Sequence, residues 1–216
     1  MVGGSNPPCP TKHNPTHSDS HRSILIVGDV NDRVDPAHEA YPFTEIDRLL
    51  ATDSGAVISG EFRYLLWRRV SEQGSRRIAF VMLNPSTADA LQDDPTLRRC
   101  ISFSRAWGFS MLLVCNLFAL RASRPVALLQ VDDPVGTDND AWLSIVVGSV
   151  DTIVAAWGAA AMAEKRSVAV LSLLGTKHDV QTLGYTARGA PRHPLYVPSS
   201  AELVPYRWRG SRPQKC

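Results

Sequence analysis

The hydrophobic pattern divides the chain at about residue 55. Beyond it, continuous apolar runs alternate with stretches whose apolar residues recur at helical spacing. Residues 56–59 and 62–68 predict a strand pair across a turn containing Gly60. The runs 78–83 and 152–156 are continuously apolar, as expected of strands covered on both faces of a sheet, and 111–116 and 180–185 predict further strands. Between them the period lengthens to that of a helix. One helix is predicted from about 94 to 107, with Leu97, Cys100, Ile101, Ser104 and Trp107 facing inward. Asp94-Pro95 supplies its N-cap and first-turn proline, and Gly108 ends it. Others are predicted at 125–130, 137–150 and 159–165. Upstream, 23–29 reads as a short strand. In 43–51, Phe43, Ile46, Leu49 and Leu50 share a helical side. Strands alternating with helices favour right-handed βαβ units. The expected fold is a single α/β domain, a three-layer α/β/α sandwich around a central, mostly parallel sheet of four or five strands.

The expected divisions are a tail at 1–22, an N-terminal extension at 23–54, the α/β domain at 55–208 and a C-terminal tail at 209–216. The first segment is rich in Pro, Ser, Asn and His and nearly free of large apolar residues. It cannot bury enough surface to offset its ordering entropy, so disorder is expected. Cys9, His13, His17 and His21 recur every fourth position there, which on a helix would suit a metal. Pro10 and Pro15 oppose that helix. An unstructured tail is the expectation, with incidental metal affinity left open.

Composition narrows the function. Hydrophobic residues make up 44% of the 216, enough for one core. With 23 basic against 21 acidic residues, the net charge of +2 demands no nucleic-acid partner and mildly favours a small substrate over duplex DNA. The four cysteines (Cys9, Cys100, Cys115, Cys216) lack paired spacing. A reducing compartment fits, and Cys115 reads as a core residue. No apolar run reaches the roughly 18–20 residues of a membrane span, and no signal core is apparent, so a cytoplasmic location is expected. No P-loop, dinucleotide glycine motif, zinc-type cysteine pair or Gly-X-Ser-X-Gly elbow is present. ATP hydrolysis, hydride transfer and serine hydrolysis are therefore disfavoured, and no cofactor or metal centre is expected.

Candidate chemistry collects where the apolar runs end. Asn84-Pro85 follows the first, Asn116 closes the second, Trp157-Gly158 follows the third, and His193-Pro194-Leu195 comes last. In open α/β sheets ligands bind at the carboxyl ends of strands, so Asn84, Asn116 and His193 should converge on one cavity. This order resembles the uracil-DNA glycosylase superfamily. More narrowly, five phrases are similar to a bacterial domain family of unknown function, DUF1643, over about residues 55–208. They are Arg63-Tyr64-Leu65-Leu66-Trp67-Arg68, the stretch from Leu83-Asn84-Pro85 to Asp89, Asp93-Asp94-Pro95-Thr96, Asn116 to Ala122, and Pro191-Arg192-His193-Pro194-Leu195-Tyr196. The glycosylase resemblance implies a glycosylase-like fold and hydrolysis of an N-glycosidic bond. Asn84 would position water, Asn116 would read the base edge and His193 would contact the base. The chain departs from that pattern in three places. Met82 stands where those enzymes usually have Gly, no Ser-Pro lies between His193-Pro194 and Leu195, and no stacking aromatic follows Asn84-Pro85. These departures weigh against duplex wedging more than against base binding.

The residue chemistry suits such a reading. The Asn84 amide oxygen can orient water but is too weak a base to deprotonate it; the alternative is an Asn that caps the turn. Asp89, Asp93 and Asp94 are candidates for a base or a metal ligand, with Asp94 expected to cap the helix. Asn116 offers donor and acceptor to a base edge, or shapes its turn. His193 can donate to a developing anion or bind phosphate. The candidate catalytic set is Asn84, His193 and Asp89. The candidate substrate-binding set is Asn116, Pro85, Ser86, Thr87, Arg121, Arg192 and Leu195. Arg121, Arg192 and Lys177 suit phosphate, and Thr96, Arg98 and Arg99 lie near a helix N-terminus. Asn139 is expected to open a helix. Tyr64 and Trp67 are expected in the core, with a stacking role open. The predicted function is hydrolysis at an N-glycosidic bond of a nucleotide, nucleoside or nucleic-acid base, with DNA possible and not required. The alternatives are a non-catalytic nucleotide or nucleic-acid binding module, and another enzyme acting on a nucleoside-like metabolite.

Overall fold

The structure, a computed structural model, describes residues 24–28, 33–34, 43–86, 93–175 and 179–207. The Cys9/His13/His17/His21 repeat, Thr87, Asp89 and Lys177 lie outside them. The strands are β1 (Ile24–Gly28), β2 (Arg33–Val34), β3 (Ser54–Ser59), β4 (Phe62–Arg69), β5 (Arg77–Met82), β6 (Met111–Asn116), β7 (Thr152–Ala155), β8 (Gln181–Thr182) and β9 (Val204–Pro205). The helices are α1 (Phe43–Leu49), α2 (Pro95–Ala106), α3 (Asn139–Ser149) and α4 (Ala163–Leu174).

All the described strands join one mixed sheet in the order β2-β1-β3-β4-β6-β5-β7-β8-β9. Within it β6, β5, β7 and β8 run parallel, and every other neighbouring pair is antiparallel. The α/β class holds, but the expected mostly parallel sheet does not: the antiparallel pairs are the majority. The cause is the connections. β3 and β4 are joined through Gly60 at φ 55°, and so short a turn can only return the chain antiparallel. β1 also pairs with β3, which brings the segment before residue 55 into the same sheet.

The parallel block is buried on both faces. Ala79 and Val81 of β5 face a cluster completed by α1, α3 and α4. Ile78, Phe80 and Met82 face the other side, against Leu97, Cys100 and Phe103 of α2. This explains the unbroken apolar runs. Burial pushes the Cys115 thiol up to about 12, so it stays protonated and packs as a small apolar residue.

Two elements differ from expectation. The helix predicted at 159–165 begins at Ala163 and runs to Leu174, with Ala163, Ser167, Val170 and Leu174 buried along one side. Its expected start is loop because Gly158 holds φ 77°, outside helical space. The strand predicted at 180–185 joins the sheet only over Gln181–Thr182, since Gly184 at φ 102° turns the chain away, and Tyr185 bridges Pro191 instead. Among the described residues, no helix is long and apolar enough to cross a membrane.

Candidate functional site

The carboxyl ends of β5, β6 and β7 open into a cavity of about 410 Å³. Its floor is apolar, from Leu66, Met82, Val114 and Leu97. Its polar wall comes from Arg63, Asn84, Ser86, Asp94, Thr96, Ser123 and His193, and Tyr196 stands at the mouth.

Asn84 follows β5 directly. Its Nδ2 donates to the carbonyls of Pro85 at 2.9 Å and Ala122 at 2.8 Å. Carbonyls only accept, so these bonds fix the amide orientation and use both of its hydrogens. Its Oδ1, without a partner among the described residues, remains as a held acceptor. The turn-shaping role weighed for Asn84 is therefore real, and it leaves the acceptor unspent.

Asp94 caps α2, accepting from the Leu97 N–H at 2.7 Å through Oδ1 and from the Ser86 hydroxyl at 3.0 Å through Oδ2. Pro95 fills the first helical position, where a missing N–H costs nothing. Asp93 pairs with Arg68 at 2.9 Å. Arg99 reaches from α2 to the final loop, donating to the Val197 carbonyl at 2.7 Å, which pins the turn carrying His193. That turn accepts the Leu195 N–H on His193 Nδ1 at 3.4 Å. Nδ1 is thus the unprotonated nitrogen, and Nε2 carries the proton. Burial lowers the His193 pKa from its ordinary value, opposed by the nearby Asp94 charge. The ring is a neutral donor.

Gly158 passes beside His193. A Cβ there would lie 3.8 Å from the His193 Cβ, an ordinary contact, so its φ of 77° is what calls for glycine. Trp157 is 4% exposed, packed in the α3/α4 core while also lining the cavity.

Asn116 does not line the cavity. Strand alternation puts it on the side of Val114, beside its ladder partner Met82 and so beneath the floor. It is 1% exposed, and neither amide atom has a hydrogen-bond partner among the described residues. Its carbonyl is held by Asn139 Nδ2 at 3.1 Å, and Asn139, expected at a helix start, is the first residue of α3.

The remaining candidates divide. Ser86 is on the wall. Pro85 is buried behind Asn84, and its carbonyl also accepts the Ala122 N–H at 2.9 Å. Arg121, Arg192 and Leu195 are not among the lining residues. Arg192 is exposed and donates to the Tyr185 carbonyl at 3.0 Å. Leu195 projects outward at 41% exposure, because the 3-10 turn Pro194–Tyr196 swings Tyr196 to the mouth in its place. Tyr64 and Trp67 are core, at 1% and 0% exposure.

Tyr196 and Arg63 are among the lining residues outside the candidate sets. Tyr196, 77% exposed, supplies the aromatic face lacking after Asn84-Pro85. Arg63 lines the wall at 7% exposure. Register jumps between Val57 (opposite Leu65) and Ile58 (opposite Arg63), so Tyr64 and Leu65 both face the α3 side and Arg63 faces the cavity. The only signal for Arg63 in the sequence is a charge inside an apolar strand; strict alternation would point it toward the opposite core.

The chain matches the family described as a protein of unknown function, DUF1643, over residues 63–195. Among curated proteins and among solved structures, none matches it. The matched span contains β5, β6, β7, α2 and all the polar wall residues, and it exceeds half of the chain. The protein therefore belongs to the DUF1643 family.

Proposed function

We propose that this cavity binds the base and sugar of a nucleoside or nucleotide and hydrolyses the N-glycosidic bond between them, on a glycosylase-like α/β scaffold. The observation that carries the reading is a fixed acceptor and a neutral donor lining one cavity: Asn84 Oδ1, with both amide hydrogens spent on backbone, and the His193 ring, with Nδ1 accepting. A volume of about 410 Å³ suits a small ligand of this kind.

In the proposed reaction the C1′–N bond lengthens and its electron pair leaves with the base. His193 Nε2–H donates to the charge developing on that base. The sugar becomes oxocarbenium-like, and the Asp94 carboxylate on the wall favours that cation. Asn84 Oδ1 holds a water for addition at C1′. So reactive a centre needs no strong base, and the water's proton passes to solvent. Tyr196 offers a stacking face at the mouth.

The second reading is a binding module without turnover. Asp94 favours it: this lining carboxylate already accepts two hydrogen bonds and is spent as a helix cap. Chromatography of nucleosides, nucleotides and base-modified DNA after incubation separates the two. Release of free base, reduced at least ~100-fold in Asn84→Ala and His193→Ala, supports hydrolysis. Thermal stabilisation by the same compounds without release supports the module.

A further inference from the structure

The proposed chemistry does not use Arg63. Its guanidinium is held in place by three features of the fold. The β4 bulge turns it toward the cavity, its backbone N–H donates to the Ala119 carbonyl at 2.9 Å, and the sheet buries it to 7% exposure. Yet its Nε has no hydrogen-bond partner among the described residues. Arg68, by contrast, is paired with Asp93, and Asp94 is committed to the α2 cap and Ser86. Burying a cation is costly unless it is paired and hydrogen-bonded. Burial holds the Arg63 guanidinium down at about 10; Asp94 raises it, and Arg121 and Arg68 lower it further. It stays charged at neutral pH, and among the described residues its Nε is left over for a ligand.

The start of α2 adds a second feature. Thr96, in the first turn of the twelve-residue α2, lines the same cavity. The Leu97 N–H is taken by the Asp94 side chain and the Arg98 N–H by the Asp94 carbonyl. The Thr96 N–H is left without an acceptor among the described residues, the open donor of that helix start.

We infer that Arg63 and the first turn of α2 form an oxyanion subsite within the cavity, so that the ligand carries a phosphate or carboxylate group and is not an uncharged nucleoside. This rests on reading the cavity as a nucleoside site, and it names the substrate class as nucleotide-like. A planar guanidinium suits two-point capture of an oxyanion, and an open helix N–H favours the same charge. Base and sugar would fill the apolar floor between Asn84 and His193, with the anionic group at Arg63.

The test is binding to the full chain, read without any turnover. Thermal shift is measured with inorganic phosphate and with acetate, each against ionic-strength-matched chloride, in wild type and Arg63→Gln. Calorimetry compares uridine and adenosine with their 5′-monophosphates. The expected result is stabilisation of wild type by phosphate or acetate beyond chloride, absent in R63Q. Monophosphates should bind about 10- to 100-fold tighter than nucleosides, a preference lost in R63Q. The stronger of the phosphate and acetate arms identifies the anion. Equal stabilisation of both proteins, or none in wild type, overturns the inference. If R63Q does not fold, phosphate is titrated into 15N-labelled wild type: movement of the Arg63 Nε–H resonance supports the subsite, and an unmoved resonance overturns it. Arg63-dependent phosphate binding with no nucleoside or nucleotide bound would leave the subsite standing and remove the nucleoside reading.

Discussion

At the scale of single residues, polar groups under the sheet edge carry the account. Asn116 buries a whole amide without a partner among the described residues, which costs about 1–3 kcal/mol. Asn116→Leu should remove that cost and raise the thermal midpoint by roughly 2–12 °C. A lowered midpoint would show that the amide is satisfied in solution. His193 makes a pH prediction. Its pKa is lowered in the fold, by burial first, with Asp94 opposing. As pH falls, the unfolded chain takes up this proton before the folded one does. The stability associated with neutral His193 is therefore complete above pH ~6.5 and is lost as pH falls through the folded value. Between pH ~6.5 and the folded value, His193→Gln should lose thermal stability less steeply than wild type. Parallel stability curves for the two proteins would contradict this. Asn84 was legible because it sits where an apolar run stops, and His193 because it lies in the proline-containing turn that follows the last predicted strand. Arg63 was not, since a bulge reverses strand parity and leaves no trace in the order of residues. Asn116 was legible in position but not in depth: the strand end fixes its place, whereas Met82 and Val114 decide that it lies under the floor.

At the scale of elements, turns and caps position the site. α2 is held by Asp94 at its start, and Arg99 carries the His193 turn on its side. Gly158 lets the chain after β7 pass beside that turn, its N–H donating to the Pro191 carbonyl at 3.1 Å. Gly158→Ala meets no clash, so the left-handed backbone alone sets its cost, about 1–2 kcal/mol. Urea denaturation should show that loss with ligand binding intact. Unchanged stability would mean that the turn relaxes freely. The helix α2 was legible almost to the residue, because its cap, proline and terminal glycine all lie in the sequence. The parallel block was legible too, since strands covered on both faces must be apolar throughout. Of the antiparallel part, the β3/β4 pair was legible from its turn at Gly60, whereas the pairing of β3 with β1 and of β4 with β6 was not. β9 is two residues long, too short for a pattern, and forms only because Val204 and Pro205 find Thr182 and Gln181 across the fold.

At the scale of the whole molecule, the two faces of the sheet have different tasks. Three helices cover one face and make the larger core, with Trp142, Leu143 and Val146 of α3 packed against Leu113 and Cys115. The other face is covered by α2, and the cavity opens where that cover ends, beside the last residues of β5. Strand direction alone brings Asn84, Trp157 and the His193 loop to one edge, a consequence of β5 lying between β6 and β7. This edge is proposed to be a nucleotide site with a polar wall made by Arg63, Asn84 and His193. A crystal structure with a nucleoside 5′-monophosphate bound tests it most directly. The account predicts the base and sugar between Asn84 and His193 and the phosphate on the Arg63 guanidinium. A well-ordered ligand elsewhere on the molecule, or one in the cavity that touches none of the three, would contradict it.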